Sequence, residues 1–159
     1  MHITSRTLTE RHRHWAAWLP TLLLTLATAT QAKAPAGRFA IKTDVSGDVV
    51  ADATFKCTWQ RTAAPNPYNW AGAKTYCQNL QVQGTGWRLP TRRELESLVD
   101  FKTSSPAIDK TYFPGTVSDY YWSSTPNQPS ASGAWVVGFG SGNSIYFDFT
   151  SNFRVRCVR

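Results

Sequence analysis

The segment Asn69–Leu80 carries apolar residues at helical spacing. Trp70, Ala73, Cys77 and Leu80 follow one another at steps of three and four residues, which places them on one face of a helix. The segment begins with Asn, a favoured N-cap residue. The pattern therefore predicts a helix over residues 69–80 that buries this face, including Cys77.

A second helix is predicted over Thr91–Asp100. Thr91 and Glu94 have the spacing of a capping box, in which each side chain accepts a hydrogen bond from a backbone N–H of the first turn. The leucines that follow are expected in the core. Because Glu94 is engaged in the cap and Glu96 points to another side, these two carboxylates do not form a catalytic pair.

The last third of the chain has the period of two that is typical of strands. Four strands are predicted, over Tyr120–Ser124, Trp135–Phe139, Ile145–Phe149 and Arg154–Val158. Residues 140–143 read Gly-Ser-Gly-Asn between two apolar runs and predict a hairpin turn. Two helices followed by an antiparallel sheet indicate the α+β class.

Residues 1–32 have the layout of a secretory signal peptide. Three arginines precede the apolar stretch Trp15–Ala29, and small residues before Ala32 offer cleavage sites. The alternative, a short membrane anchor, is disfavoured because the stretch is short and contains a proline. We therefore expect export to the periplasm or beyond the cell.

Composition divides the rest of the chain into a linker and one domain. Residues 33–48 are rich in Ala, Lys, Gly and Asp and are interpreted as a linker with one short strand at Phe39–Thr43. The density of aromatic residues rises from Val49. A single domain is therefore expected over residues 49–159.

Cleavage of the signal peptide lowers the net charge of the chain and removes all of its histidines. Three of the 17 basic residues and one of the 10 acidic residues leave with it, so the mature chain has a net charge of +5. All three histidines, at positions 2, 12 and 14, leave as well. A chain without histidine has no Ser-His or Cys-His nucleophile and no ordinary His-ligated zinc site. We therefore expect a protein that is not an enzyme, holds no metal and uses no cofactor.

Three cysteines, Cys57, Cys77 and Cys157, stay in the mature chain. An exported protein meets an oxidising compartment, where a disulfide is expected. Three cysteines leave one unpaired. The inward direction predicted for Cys77 makes it a candidate partner, but the residues alone leave the pairing open.

Several motifs, taken in order, resemble one bacterial family. Trp87–Thr91 reads WRLPT, Tyr121–Thr125 reads YWSST and Val155–Arg159 reads VRCVR. This series is similar to that of the C-terminal domain of the Legionella collagen-like adhesin, a family long catalogued as a domain of unknown function. The resemblance runs from about Val49 to the last residue.

The resemblance implies a C-type-lectin-like fold, with two helices packed on a twisted antiparallel sheet. In that fold a cysteine of the first helix commonly bridges to one of the last strand, and Cys77 and Cys157 occupy those places. Cys57 then stays unpaired and stands where relatives usually carry an apolar Leu. This favours a small buried residue over a catalytic thiol, since no histidine is present to activate it.

The function predicted from these observations is a secreted or periplasmic binding module for an anionic polysaccharide or a surface protein. The family's best-known member has a collagen-like stalk and is implicated in adhesion to sulfated polysaccharides, whereas this chain has no collagen-like repeat and so lacks the stalk. Basic side chains attract sulfate and carboxylate groups in a salt-dependent manner. The candidate ligand contacts are the basic residues of the second helix and last strand, with one tyrosine expected to face outward: Arg92, Arg93, Arg154, Arg156, Arg159 and Tyr120.

Other functions are alternatives to this prediction. A structural subunit of a cell-surface or envelope assembly is the main one, which an exposed apolar patch or a stable oligomer would favour. A formylglycine-generating enzyme is disfavoured because that chemistry needs a pair of reactive cysteines. A lectin-type calcium site is disfavoured because no acidic residue lies between Asp119 and Asp148. Nucleic acid is disfavoured by export and by the modest net charge, and no membrane span is expected.

Overall fold

A computed structural model of the chain describes residues 36–128 and 132–159. The predicted signal peptide, residues 1–32, lies outside these ranges. The elements in chain order are β1 (Phe39–Asp44), β2 (Gly47–Asp52), β3 (Cys57–Gln60), α1 (Trp70–Gln78), α2 (Arg92–Glu96), β4 (Tyr120–Pro126), β5 (Gly133–Gly138) and β6 (Ser144–Asp148).

The first sheet is antiparallel and has the strand order β1–β2–β3. Val50 of the central strand pairs with Ile41 on one side and with Trp59 on the other. Both Val49 and Val50 are buried, so this short strand contacts apolar side chains on both of its faces. The segment predicted as a linker contributes β1 to this sheet, and its Phe39 packs in the core.

The second sheet is also antiparallel, with the order β4–β5–β6. The predicted hairpin turn joins β5 to β6, with Gly138 N–H donating to the carbonyl oxygen of Asn143 over 2.8 Å. Gly142 in this turn has a φ of +84°, and a Cβ at this position would lie 2.5 Å from Val99 Cγ1. Both the backbone conformation and the close approach therefore require glycine.

The C-terminal segment runs between the two sheets and connects them. On one side Gln60 N–H donates to the carbonyl oxygen of Cys157, and on the other Trp122 N–H donates to the carbonyl oxygen of Arg154. This segment is not a ladder strand, since its pairings are isolated bridges to Trp59, Tyr121 and other residues. Backbone groups of this segment are nevertheless paired on both sides.

Buried apolar side chains form two clusters. One contains Trp59, Leu95, Phe113 and Phe139 among others. The second includes Trp122 and packs around the disulfide between Cys77 and Cys157, whose Cα atoms are 5.5 Å apart. This confirms the pairing that the family resemblance implied.

The predicted fold class, an α+β arrangement of two helices packed on one twisted C-type-lectin-like sheet, is wrong. The described residues form two three-stranded antiparallel sheets, and the helices have only nine and five residues. The second helix was predicted to reach Asp100 but ends at Glu96, because Val99 leaves the helix to pair with Ile108. The described part of the chain contains no helix long and apolar enough to span a membrane.

Candidate functional site

The first turn of α2 fixes the position of Arg92. Thr91 Oγ1 accepts a hydrogen bond from Glu94 N–H over 3.2 Å, and Glu94 Oε2 accepts one from Thr91 N–H over 2.7 Å, so the predicted capping box is confirmed. Burial alone would raise the pKa of Glu94, but hydrogen bonds from Arg88 and Thr91 outweigh it and hold this pKa below its ordinary value. Arg92 N–H donates to Thr125 Oγ1 of β4, which ties the helix to the second sheet.

The Arg92 side chain lies on an aromatic ring of the second sheet. Its guanidinium carbon is 3.9 Å from the ring centre of Trp135 in β5, in the geometry of a cation–π interaction. Its Nε donates to Glu96 Oε1 over 2.6 Å, and Ser144 Oγ of β6 donates to the same oxygen. The guanidinium is therefore held by Glu96 of α2 and Trp135 of β5, while β6 fixes Glu96, and 36% of the Arg92 side chain stays exposed.

Glu96 contacts Arg92 and Ser144 in its ionised, carboxylate form. Burial raises the pKa of Glu96, but the hydrogen bonds from Ser144 and Arg92 more than compensate and lower it overall. The carboxylate is thus ionised at neutral pH and oriented toward Arg92. It acts as a structural partner of the guanidinium rather than as a free acid or base.

Tyr146 extends this arrangement toward solvent. Its ring is edge-on to Trp135 with a centroid separation of 6.0 Å, and 53% of the residue is exposed. We call Arg92, Glu96, Trp135, Ser144 and Tyr146 the Arg92 cluster. Neither aromatic residue was a predicted contact. Trp135 is half-buried, and Tyr146 could have been found as the polar-face residue of its strand.

Arg93 adds a positive charge next to this cluster. It is exposed, and its guanidinium has no ion-pair partner among the described residues. Of the predicted contacts, Arg92 and Arg93 are thus neighbours on one helix. Arg92 places its guanidinium on the Trp135 ring, and Arg93 supplies an unpaired guanidinium at the next position of the helix.

Arg156 lies in the interior, with none of its surface exposed. It donates to the carbonyl oxygen of Gln60 over 2.7 Å, to that of Arg61, and to Thr116 Oγ1 over 2.8 Å. Burial lowers the pKa of Arg156 to about 10, so it stays charged at neutral pH. As a predicted ligand contact, Arg156 is expected at the surface; it is enclosed instead because residues 155–158 are buried between the two sheets.

Tyr120 and Arg154 are also held by intramolecular contacts. The Tyr120 ring is half-buried against Phe147 and Phe153, at centroid separations of 5.6 and 5.8 Å, rather than directed outward. Arg154 Nε lies 3.3 Å from Asp119 Oδ2, and 29% of the side chain is exposed. Arg154 N–H donates to the Tyr120 carbonyl oxygen, so these two predicted contacts are neighbours. No described contact joins either of them to the Arg92 cluster.

The last residue, Arg159, occupies a separate position. Its guanidinium carbon lies 5.1 Å from the ring centre of Trp87, and its backbone pairs with Thr58 of β3. The predicted arginines are therefore distributed over three places on the described surface and one in the interior. Among the predicted contacts in the described structure, only Arg92 lies on a half-buried ring, that of Trp135, which has an exposed aromatic side chain, Tyr146, beside it.

The family profile of the Lcl C-terminal domain matches residues 48–159. The chain belongs to this family. It has no significant match among curated proteins. The matched range begins within the hairpin of β1 and β2, so β1 of the first sheet precedes it in this member of the family.

The unpaired cysteine of this Lcl C-terminal domain is Cys57, which is half-buried. Burial raises the pKa of its thiol to about 11, and the nearby charges of Asp52 and Glu94 act in the same direction. The thiolate, the nucleophilic form, is therefore scarce at neutral pH. Within the described ranges no group of three or more His, Cys, Asp or Glu side chains has the arrangement of a metal site.

Proposed function

We propose that this Lcl C-terminal domain is an exported, non-catalytic binding module that recognises anionic polysaccharide through the Arg92 cluster and Arg93. The observation that carries the proposal is the guanidinium of Arg92 lying over the half-buried Trp135 ring, with the exposed ring of Tyr146 edge-on to that tryptophan. Aromatic rings stack on sugar faces, and guanidinium groups pair with sulfate or carboxylate oxygens in a bidentate manner.

The rigidity of the cluster supports this role. Arg92 is fixed by the capping box, Glu96 and the Trp135 ring, so little side-chain entropy is lost when a ligand binds. The Arg93 side chain has no ion-pair partner among the described residues and supplies an unneutralised charge. Together they favour a polyanion that presents sugar rings at the same time.

The test is binding of heparin, with uncharged dextran as the comparison, measured by calorimetry at about 50 and about 150 mM NaCl. We expect saturable heparin binding that weakens with salt and is unchanged by a calcium chelator. Arg92→Ala with Arg93→Ala should weaken it at least about tenfold. The matched control, Lys102→Ala with Lys110→Ala, removes the same charge from exposed lysines that have no ion pair among the described residues. Equal losses in the two double variants would contradict the proposal.

A role in assembly is the second candidate, favoured by apolar side chains on the sheet edges. Ile41 of β1 is 40% exposed, as is Ile145 of β6, and both strands are edges of their sheets. Exposed edges can pair with another chain. Sedimentation of the purified protein would show a stable oligomer, dissociated by Ile41→Lys or Ile145→Lys, if this candidate is correct. A monomer at all concentrations would exclude self-assembly.

A further inference from the structure

A groove of about 510 Å³ lies alongside α1 and includes no residue of the Arg92 cluster. This volume falls within the range of sites that hold small ligands. Two aromatic rings and several short polar side chains line it, chiefly Tyr68, Thr75, Tyr76, Asn79, Leu80 and Gln81.

The two tyrosines form the aromatic side of the groove. Their ring centres are 5.3 Å apart and the planes differ by 31°, so the two rings pack against each other at the groove. Tyr76 is fixed by the hydrogen bond that its hydroxyl accepts from Gln60 Nε2 over 2.8 Å. Tyr68 is fixed through its backbone, which exchanges two hydrogen bonds with Phe153.

The polar side of the groove has unused hydrogen-bonding capacity. The side-chain amides of Asn79 and Gln81 are exposed and make no hydrogen bond with any described residue. Each amide offers two donors and an acceptor. None of the described residues that line the groove carries a charged side chain.

These features select against other ligand classes. A sulfated or carboxylated group finds no cation in the lining, and a lipid chain makes no use of the two free amides. An uncharged sugar ring has one apolar C–H face and a rim of hydroxyls, which match the tyrosine surface and the amides respectively.

We propose that this groove binds an uncharged hexopyranose unit of a glycan, stacked on Tyr68 and Tyr76 and hydrogen-bonded through its hydroxyls to Asn79 and Gln81. The site is separate from the Arg92 cluster and takes a different chemical class of sugar. The inference therefore stands independently of polyanion binding.

The test uses neutral hexasaccharides of glucose, mannose and N-acetylglucosamine, titrated into the ¹⁵N-labelled protein and followed by NMR. We expect at least one of them to shift the side-chain amide resonances of Asn79 and Gln81, with an affinity that salt does not change. Asn79→Ala with Gln81→Ala should weaken binding about tenfold, because two hydrogen bonds are lost. Gln78→Ala is the control, since it removes an exposed amide at the end of α1, next to Asn79, that does not line the groove.

The inference is overturned if none of the three hexasaccharides binds, or if the Asn79/Gln81 double variant binds as tightly as the Gln78 control. It is also overturned if binding is salt-sensitive and disappears in the Arg92/Arg93 double variant, which would assign it to the polyanion surface. The thermal midpoints of the variants show whether they are folded. Thr75→Lys, which places a charged chain in the groove at an exposed helix position, should abolish binding as a second check.

Discussion

The guanidinium carbon of Arg92 lies 3.9 Å from the centre of the Trp135 ring, which joins the first turn of α2 to the middle strand of the second sheet. The contact keeps the long Arg side chain extended over the ring while Glu96 holds its Nε. The Trp135 ring lies under this side chain and is half-buried. A structural interaction and a surface suited to ligands are thus built from the same atoms.

The stability of this contact can be measured with a double-mutant cycle. We expect Arg92→Ala and Trp135→Leu to show a coupling energy of about 0.5–1 kcal/mol in urea unfolding, the size of a partly exposed cation–π interaction. A second cycle, of Arg92→Ala with Glu96→Gln, measures the Arg92–Glu96 ion pair separately. Additive effects of the Arg92 and Trp135 substitutions would show that the two side chains do not interact.

Arg156 is expected to stabilise the fold and not to bind ligand. Arg156→Met removes the donor from Gln60, Arg61 and Thr116, whose acceptors are then left unsatisfied in the interior. We expect the free energy of unfolding to fall by about 3 kcal/mol or more, since each orphaned group costs about 1–3 kcal/mol. Heparin affinity of the folded protein should not change. A large loss of affinity in a variant of normal stability would contradict this assignment.

The disulfide joins residues separated by 80 positions and closes most of the domain in one loop. Replacing Cys77 and Cys157 together by Ala should lower the free energy of unfolding by about 4 kcal/mol, because the unfolded chain regains the entropy of the open loop. Chemical denaturation with and without a reducing agent measures the effect. Cys57→Ala is the control and should leave the response of the protein to reductant unchanged.

The ion pair of Arg38 with Asp52 predicts an acid-sensitive stability. Arg38 donates to both carboxylate oxygens, over 3.1 and 2.7 Å, and the Asp52 side chain is fully buried. Burial raises the pKa of Asp52, but the hydrogen bonds from Arg38 and the Phe55 N–H outweigh it, so this pKa is below its ordinary value of 3.8. The stabilisation is therefore complete above pH 3.8 and is lost as the pH falls through the lower, folded-state pKa.

Asp52→Asn tests this pH dependence. We expect the variant to be less stable by about 3 kcal/mol at pH 7, since it leaves the Arg38 guanidinium without its counter-ion. The variant should also lose less stability than the natural protein on acidification below pH 3.8. The measurement is the free energy of unfolding of both proteins across this pH range. The same slope of this free energy against pH in both proteins would contradict the prediction.

The local signals of the sequence were accurate where neighbouring residues alone decide the structure. The capping box at Thr91 and Glu94 and the Asn69 cap of α1 involve atoms within one helical turn, and both are present. The glycine-rich hairpin at residues 140–143 was likewise predictable from its turn residues. The family resemblance identified the disulfide, because it carries information about contacts between distant residues.

The sequence by itself determined the helix starts, the hairpin turn, the family and the absence of histidine from residues 33–159. Only the tertiary structure decided the fold class, since the three strands of residues 39–60 acquire their partners through pairing that no local pattern specifies. It also decided which arginines face solvent. Alternation along a strand predicts which side chains face solvent only where one face of the strand is free. The last segment lies between β3 and β4, so Arg156 is enclosed. Arg92 belongs to α2 and lies on the Trp135 ring at the surface.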